Sequence, residues 1–90
     1  MQATLDKKVM DILVSPCRVD ILNQLAKSEG KPLEEISNQM ITQSAGIKDH
    51  IAKLLEDSII KSEDGKYQLT KEGKELYKLL QKIVIKANVV

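Results

Sequence analysis

Apolar residues recur at helical spacing over the first two thirds of the chain, and the breaks in this pattern separate four predicted helices. The first two run over residues 4–14 and 16–28, and proline at residue 16 suits the first turn of a helix. A short third helix follows Pro32 and precedes a fourth over residues 44–57. One face of the fourth carries an apolar stripe, which consists of Ile47, Ile51, Leu54 and Leu55. The pattern therefore predicts a mainly helical domain.

The pattern changes from helical to extended after Ser58. Asp64 and Gly65 separate two extended runs, and Asp-Gly is a strong hairpin signal because a type I′ turn needs positive φ at both central residues. We therefore predict a β-hairpin over residues 59–69. Thr70 can cap a last helix over residues 71–88. The predicted order is α-α-α-α-β-β-α, in one domain over residues 1–90.

The last helix carries more apolar side chains than one domain surface needs. Such surplus surface is costly to expose and indicates a partner. We therefore expect a homodimer in which the terminal helices, over residues 4–14 and 71–88, form the interface. The expected interface residues are Leu5 and Val9 in the first helix, and Leu76, Leu79, Leu80, Ile83, Val84 and Ala87 in the last.

Composition and charge constrain the core, the partners and the location of the protein. The 90 residues are 42% hydrophobic and 30% charged, and Tyr67 and Tyr77 are the two aromatic residues, so the core must be aliphatic. The net charge of +1 gives no general basic footprint for nucleic acid. Cys17 is a single cysteine and no signal-peptide pattern opens the chain, so we expect a reducing, cytoplasmic location. A thiol at a helix start can be a redox sensor with a lowered pKa, or a packing residue.

Three segments carry a resemblance to a known family. ILVSPCRVDILNQL resembles a helix-to-helix segment around an Asp-Pro-Thr-Arg sequence, IKDHIAKLLEDSII resembles a recognition helix and the following strand, and YQLTKEGKEL resembles a wing strand and the closing helix. In this order, over roughly residues 9–80, they resemble the ArsR-like winged helix-turn-helix transcription regulators of archaea and bacteria. The chain departs from that family at Asp49, where Arg is frequent, and at Ser58, where Gly is usual.

The resemblance implies a winged helix-turn-helix fold and a homodimer that binds double-stranded DNA to regulate transcription. The recognition helix, about residues 44–57, would enter the major groove, and the wing, about residues 59–69, would lie on the DNA backbone. The expected DNA-binding residues are Gln43, Ser44, Ala45, Lys48, Asp49, His50 and Lys53 around the recognition helix, with Lys61 and Lys66 in the wing.

The alternative is a winged-helix module that binds protein without sequence-specific DNA binding. Asp49, the acidic residues at the hairpin tip and the small net charge all weaken attraction to phosphate. Fold alone does not separate the two functions.

The sequence offers no catalytic or metal-binding constellation. One Cys and one His cannot supply the four or so ligands of a structural zinc site. There is no second His to orient a nucleophile, no Gly-rich phosphate loop and no P-loop lysine pattern. We therefore expect no enzymatic activity, no cofactor, no metal and no membrane association.

Overall fold

The computed structural model describes residues 2–42 and 45–88, with side-chain surroundings over residues 7–42 and 45–82. These residues are mainly helical, with an antiparallel hairpin before a C-terminal helix, so the predicted order of elements is confirmed. The elements are α1 (Gln2–Leu13), α2 (Pro16–Ala26), α3 (Leu33–Asn38), α4 (Ile47–Glu56), β1 (Ile60–Glu63), β2 (Lys66–Leu69) and α5 (Lys71–Asn88).

The start of α2 follows from its first residues. Ser15 has extended backbone, with φ of −125°, and its hydroxyl accepts the backbone N–H of Arg18 at 3.4 Å. Pro16 occupies the first helical turn, where its missing N–H is no loss. The predicted start at Pro16 is confirmed. The helix ends at Ala26, slightly before the predicted end, and the N–H of Lys27 bonds back to the carbonyl of Gln24 at 3.2 Å.

The start of α4 differs from the prediction. Gly46 has a φ of +76°, in the left-handed region, so the helix begins at Ile47 and the predicted start at residue 44 is wrong. Ala45 consequently lies in a turn before the helix. Gln43 and Ser44 lie outside the described residues.

The end of α4 shows a left-handed cap formed by Ser58. Its φ is +60°, and its N–H bonds to the carbonyl of Leu55 at 3.0 Å, while the N–H of Ile59 bonds to the carbonyl of Leu54 at 3.0 Å. This double hydrogen bond is the Schellman arrangement, which usually has glycine at the left-handed position. It turns the chain sharply from α4 into β1.

The hairpin has the predicted turn. Asp64 and Gly65 have φ of 54° and 78°, so both central residues are left-handed, as a type I′ turn requires. β1 and β2 pair antiparallel, with Ile60 opposite Leu69 at the base. Tyr67 in β2 also exchanges backbone hydrogen bonds of 2.7 and 3.0 Å with Lys31, which extends the hairpin by one bridge.

The core is aliphatic, as predicted, apart from one thiol. Its buried members are Val9, Ile12, Cys17, Ile21, Leu22, Leu25, Ile36, Ile47, Ile51, Leu54, Ile59, Ile60, Leu69, Leu76 and Leu80. α1 packs against α2 and α5, and Lys8 on α1 forms an ion pair with Glu72 on α5. The side chains of Val9, Leu76 and Leu80, expected at a dimer interface, therefore have almost no exposed area left to give to a second chain.

Candidate nucleic-acid interface

The outer side of α4 is the largest group of expected site residues that the structure brings together. Ile47, Ile51 and Leu54 face the core, so the positions between them face outward. The exposed residues on this side form what we call the α4 surface, which consists of Ala45, Lys48, Asp49 and Ala52. Its two alanines are short enough to let another surface approach the helix backbone closely.

His50 lies at the edge of the α4 surface and is held by α2. Its Nδ1 accepts the Nε–H of Arg18 at 3.1 Å. Because Nδ1 accepts, the proton of the neutral ring is on Nε2, which is left as a donor. Arg18 has no ion-pair partner among the described side chains. The contact therefore adds an unexpected cation beside α4, from the Arg of the SPCR sequence at the start of α2.

Lys53 lies beside this pair, half-buried, one helical turn before Asp57. Its Nζ is 3.7 Å from a carboxylate oxygen of Asp57. The pair is long and both side chains are partly accessible to solvent, so it contributes little free energy, and Lys53 can leave Asp57 for another anion at small cost.

The hairpin lysines lie apart from the α4 surface. Lys61 pairs with Gln68, and Lys66 pairs with Glu63, so the pleat places both lysines on the hairpin face opposite to Tyr67. Both are exposed. Tyr67 faces α4 instead, across a shallow groove of about 310 Å³ lined by Leu33, Lys48, Ile51, Ala52, Leu55 and Tyr67. Sequence reasoning missed Tyr67, although its period-two spacing with the buried Leu69 pointed to this side.

A buried carboxylate anchors the chain that leads into α4. Asp20 is 6% exposed, and its Oδ2 accepts the N–H of Ile41 at 2.8 Å and the N–H and hydroxyl of Thr42 at 2.9 and 3.0 Å. Burial raises the pKa of Asp20, but the hydrogen bonds from Thr42, Ile41 and Gln24 lower it further, so the net pKa is below the ordinary value. α2 thereby fixes the turn after α3.

Cys17 is part of the core. Burial raises the pKa of its thiol, nearby Asp20 raises it as well, and Arg18 offsets only part of this increase. The lowered pKa considered for a redox sensor is therefore wrong, because burial and the neighbouring Asp20 carboxylate both disfavour the thiolate. The packing interpretation of Cys17 agrees with its place in the core.

The expected dimer residues fall into three groups. Val9, Leu76 and Leu80 are buried in the core, and Leu79 is partly buried against it. The side chains of Leu5, Ile83, Val84 and Ala87 lie outside those described. In addition, Met10 and Val14 are 57% and 74% exposed. They are four residues apart, so they form a small apolar patch at the end of α1 that sequence reasoning missed.

Neither metal chemistry nor a membrane span is suggested by the described residues. They hold no cluster of three His, Cys, Asp or Glu side chains suited to a metal ion. None of their helices combines the length and apolar character that crossing a bilayer requires.

Comparison with known proteins gives no family assignment, since no family model, curated protein or solved structure matches the chain.

Proposed function

We propose that the chain is a winged helix-turn-helix regulator that binds double-stranded DNA as a homodimer, with α4 in the major groove and the hairpin as the wing. The observation that carries the proposal is the exposed α4 surface on a helix whose opposite side is locked into the core. In helix-turn-helix proteins the N-terminal residues of the recognition helix contact base edges. Lys48 and Asp49 lie in the first turn of α4, and Ala45 lies in the turn just before it.

Each residue of the proposed interface has a role that suits its chemistry. Lys48 and Arg18 bind phosphate oxygens or guanine, and the free donor of His50 binds phosphate. Asp49 accepts a hydrogen bond from a cytosine amino group, which is the base contact open to a carboxylate in the major groove. Ala52 provides apolar contact to a thymine methyl group.

The remaining expected contacts complete the proposal. Lys53 leaves Asp57 to bind phosphate, and Lys61 and Lys66 bind the DNA backbone from the outer face of the hairpin. Gln43 and Ser44 precede α4 in the chain and are proposed to bind bases or phosphates there. Catalysis, a metal and a cofactor play no part in this function.

Binding to duplex DNA is expected to depend on Lys48 and Lys53. Replacing both with Ala should weaken binding. It should also make the fall of log affinity with log salt less steep, by about one unit of slope for each phosphate that is no longer neutralised. Lys82→Ala, an exposed lysine on α5, is the control and should change neither quantity by more than a fraction of that amount. The duplexes are selected from a random pool at low salt. Fluorescence anisotropy over a series of salt concentrations then measures the affinity and its salt dependence. If the parent chain selects no duplex from the pool, the DNA-binding proposal fails.

The homodimer is expected to use the two terminal helices, with the exposed patch of Met10 and Val14 at the end of α1 as part of the interface. A two-fold dimer would place two recognition helices on half-sites about one helical turn apart. Met10→Lys with Val14→Glu removes the apolar patch without touching the core, so the variant should stay folded and sediment as a monomer. Ile41→Lys, which replaces an isoleucine that is 94% exposed elsewhere on the surface, should remain dimeric. Sedimentation of the parent as a single chain at micromolar concentration would refute the dimer.

A protein-binding module is the second candidate, because the groove between α4 and Tyr67 has an apolar lining of Leu33, Ile51 and Leu55. The lysines of α4 are also balanced by Asp49 and Glu56 on the same helix. This candidate predicts that the double lysine variant behaves like the parent at every salt concentration and that no duplex is selected. The DNA experiment therefore distinguishes the two functions.

A further inference from the structure

We propose that an open groove between α2, β2 and α5 binds a small organic carboxylate with an apolar body. The groove has a volume of about 590 Å³ and lies outside the α4 surface and the α1 patch. Small-molecule sites typically occupy about 300–1,000 Å³ and combine an apolar lining with a few polar groups. The groove has both features, and the proposal does not depend on DNA binding.

The floor and one wall of the groove are apolar and fixed. Leu25 and Leu69 are 2% and 5% exposed and belong to the core, so the small area that they show is rigidly placed. The ring of Tyr77 forms a wall, and its hydroxyl donates to Oδ1 of Asn23 at 2.8 Å, which ties α5 to α2. An apolar body lying on these side chains would displace water from them.

The rim of the groove favours an anion. Lys74 and Lys78 are four residues apart on α5, so both lie along the same side of the groove, and both are exposed. Neither has an ion-pair partner among the described side chains. Glu29, at the opposite wall beyond α2, is the acidic residue of the lining. A ligand carboxylate on the α5 side of the groove would therefore have two ammonium groups available to it.

The contacts predict a specific mode of binding. The apolar body rests on Leu25, Leu69 and the ring of Tyr77, and the carboxylate accepts hydrogen bonds from Lys74 and Lys78. A ligand in this position touches three elements at once and binds the packed state better than a state in which they separate. It should therefore raise the melting temperature as its concentration increases.

A titration of the full chain with naphthoate, followed by amide NMR, tests the proposal. We expect saturable shifts at residues around the groove, including Ala26, Gln68 and Gln81, and a rise in Tm. Naphthalenemethanol, which has the same ring system and no charge, should bind about tenfold more weakly or worse, because it cannot form the charge-assisted hydrogen bonds.

Matched lysine variants assign the charge. Lys74→Gln with Lys78→Gln should lower the naphthoate affinity about tenfold, whereas Lys71→Gln with Lys82→Gln changes the net charge equally and should keep the parent affinity. All four lysines are exposed, so both variants are expected to fold. The proposal is overturned if the alcohol binds as well as the acid, if both double variants bind alike, if the shifts lie elsewhere, or if no saturable shift occurs.

Discussion

Gly73→Ala is expected to destabilise the folded chain by about 3 kcal/mol, the upper part of the usual range for overpacking a filled site. Gly73 lies in the first turn of α5, and a Cβ added there would be 2.0 Å from the carbonyl oxygen of Ile59 and 3.1 Å from its carbonyl carbon. Helix propensity alone predicts the opposite sign, because Ala is favoured over Gly inside a helix by about 1 kcal/mol. The two effects therefore give opposite results for the same substitution.

The close contact should dominate because Ile59 cannot easily move. Its carbonyl accepts the N–H of Thr70 at 3.0 Å, and its own N–H bonds to Leu54 at the end of α4. Its side chain is 1% exposed in the core. The hydroxyl of Thr70 also accepts the N–H of Gly73 at 2.9 Å, which holds the first turn of α5 against this carbonyl. Relief of the clash would have to shift α5 away from the turn between α4 and β1.

Urea denaturation of the parent and the variant measures this effect, with Gly30→Ala as the matched control. At Gly30 the nearest atom to an added Cβ is the Cβ of Lys66 at 3.4 Å, an ordinary contact with a side chain. The control should therefore differ from the parent by no more than about 1 kcal/mol. Equal or higher stability of Gly73→Ala would show that helix propensity outweighs the contact with Ile59.

Elements set by neighbouring residues could be predicted from the sequence. Pro16 marks the start of α2, Asp64 and Gly65 form the turn of the hairpin, and Thr70 caps α5. In each case the hydrogen bond or φ value involves residues no more than three positions apart. The start of α4 was predicted wrongly although it also depends on a local feature. An isolated glycine such as Gly46 does not indicate from the sequence that its φ is positive.

Features that join distant segments could not be predicted. The contact of Gly73 with Ile59 and the hydrogen bonds of Asp20 to Ile41 and Thr42 depend on how helices and turns meet in the folded chain. The apolar stripe of α5 is another example. Its periodicity indicates that Leu76 is buried, but it does not indicate whether the covering surface belongs to the same chain or to a second chain.

The part of the candidate site that lies within one helix could be predicted, and the contacts between elements could not. The exposure of Lys48 and Asp49 follows from their places between buried positions of one helix. The contact of Arg18 with His50 joins α2 to α4, and the side of the hairpin that Tyr67 occupies depends on the register of β1 and β2. Lys61 and Lys66 were expected to contact the DNA backbone from the wing. That both lie on the hairpin face opposite to Tyr67 follows from the register and the pleat.

Asp20→Ala is expected to cost about 2–3 kcal/mol of stability at neutral pH, because the two N–H groups and the hydroxyl that this carboxylate accepts are left without a partner. Asp20→Asn keeps the size and one oxygen acceptor, so it should cost less. Both variants weaken the hydrogen bonds by which Asp20 on α2 holds Ile41 and Thr42, in the turn that leads into α4. Urea denaturation gives the stability, and amide hydrogen exchange at Ile41 and Thr42 shows whether unfolding begins at this turn.

The pH dependence separates the charge of Asp20 from its size. Its pKa in the folded chain is below the ordinary value of 3.8, so its ionisation stabilises the fold above that value, and this contribution is lost as pH falls through the folded pKa. The stability difference between parent and Asp20→Asn should therefore be largest near pH 7 and shrink at about pH 3 and below. Asp11→Asn on α1 is the matched control, because this carboxylate has no hydrogen bond among the described side chains, and the variant should keep nearly the stability of the parent at neutral pH. A parent-to-Asp20→Asn difference that stays constant from neutral to acid pH would mean that the anchor depends on shape and not on charge.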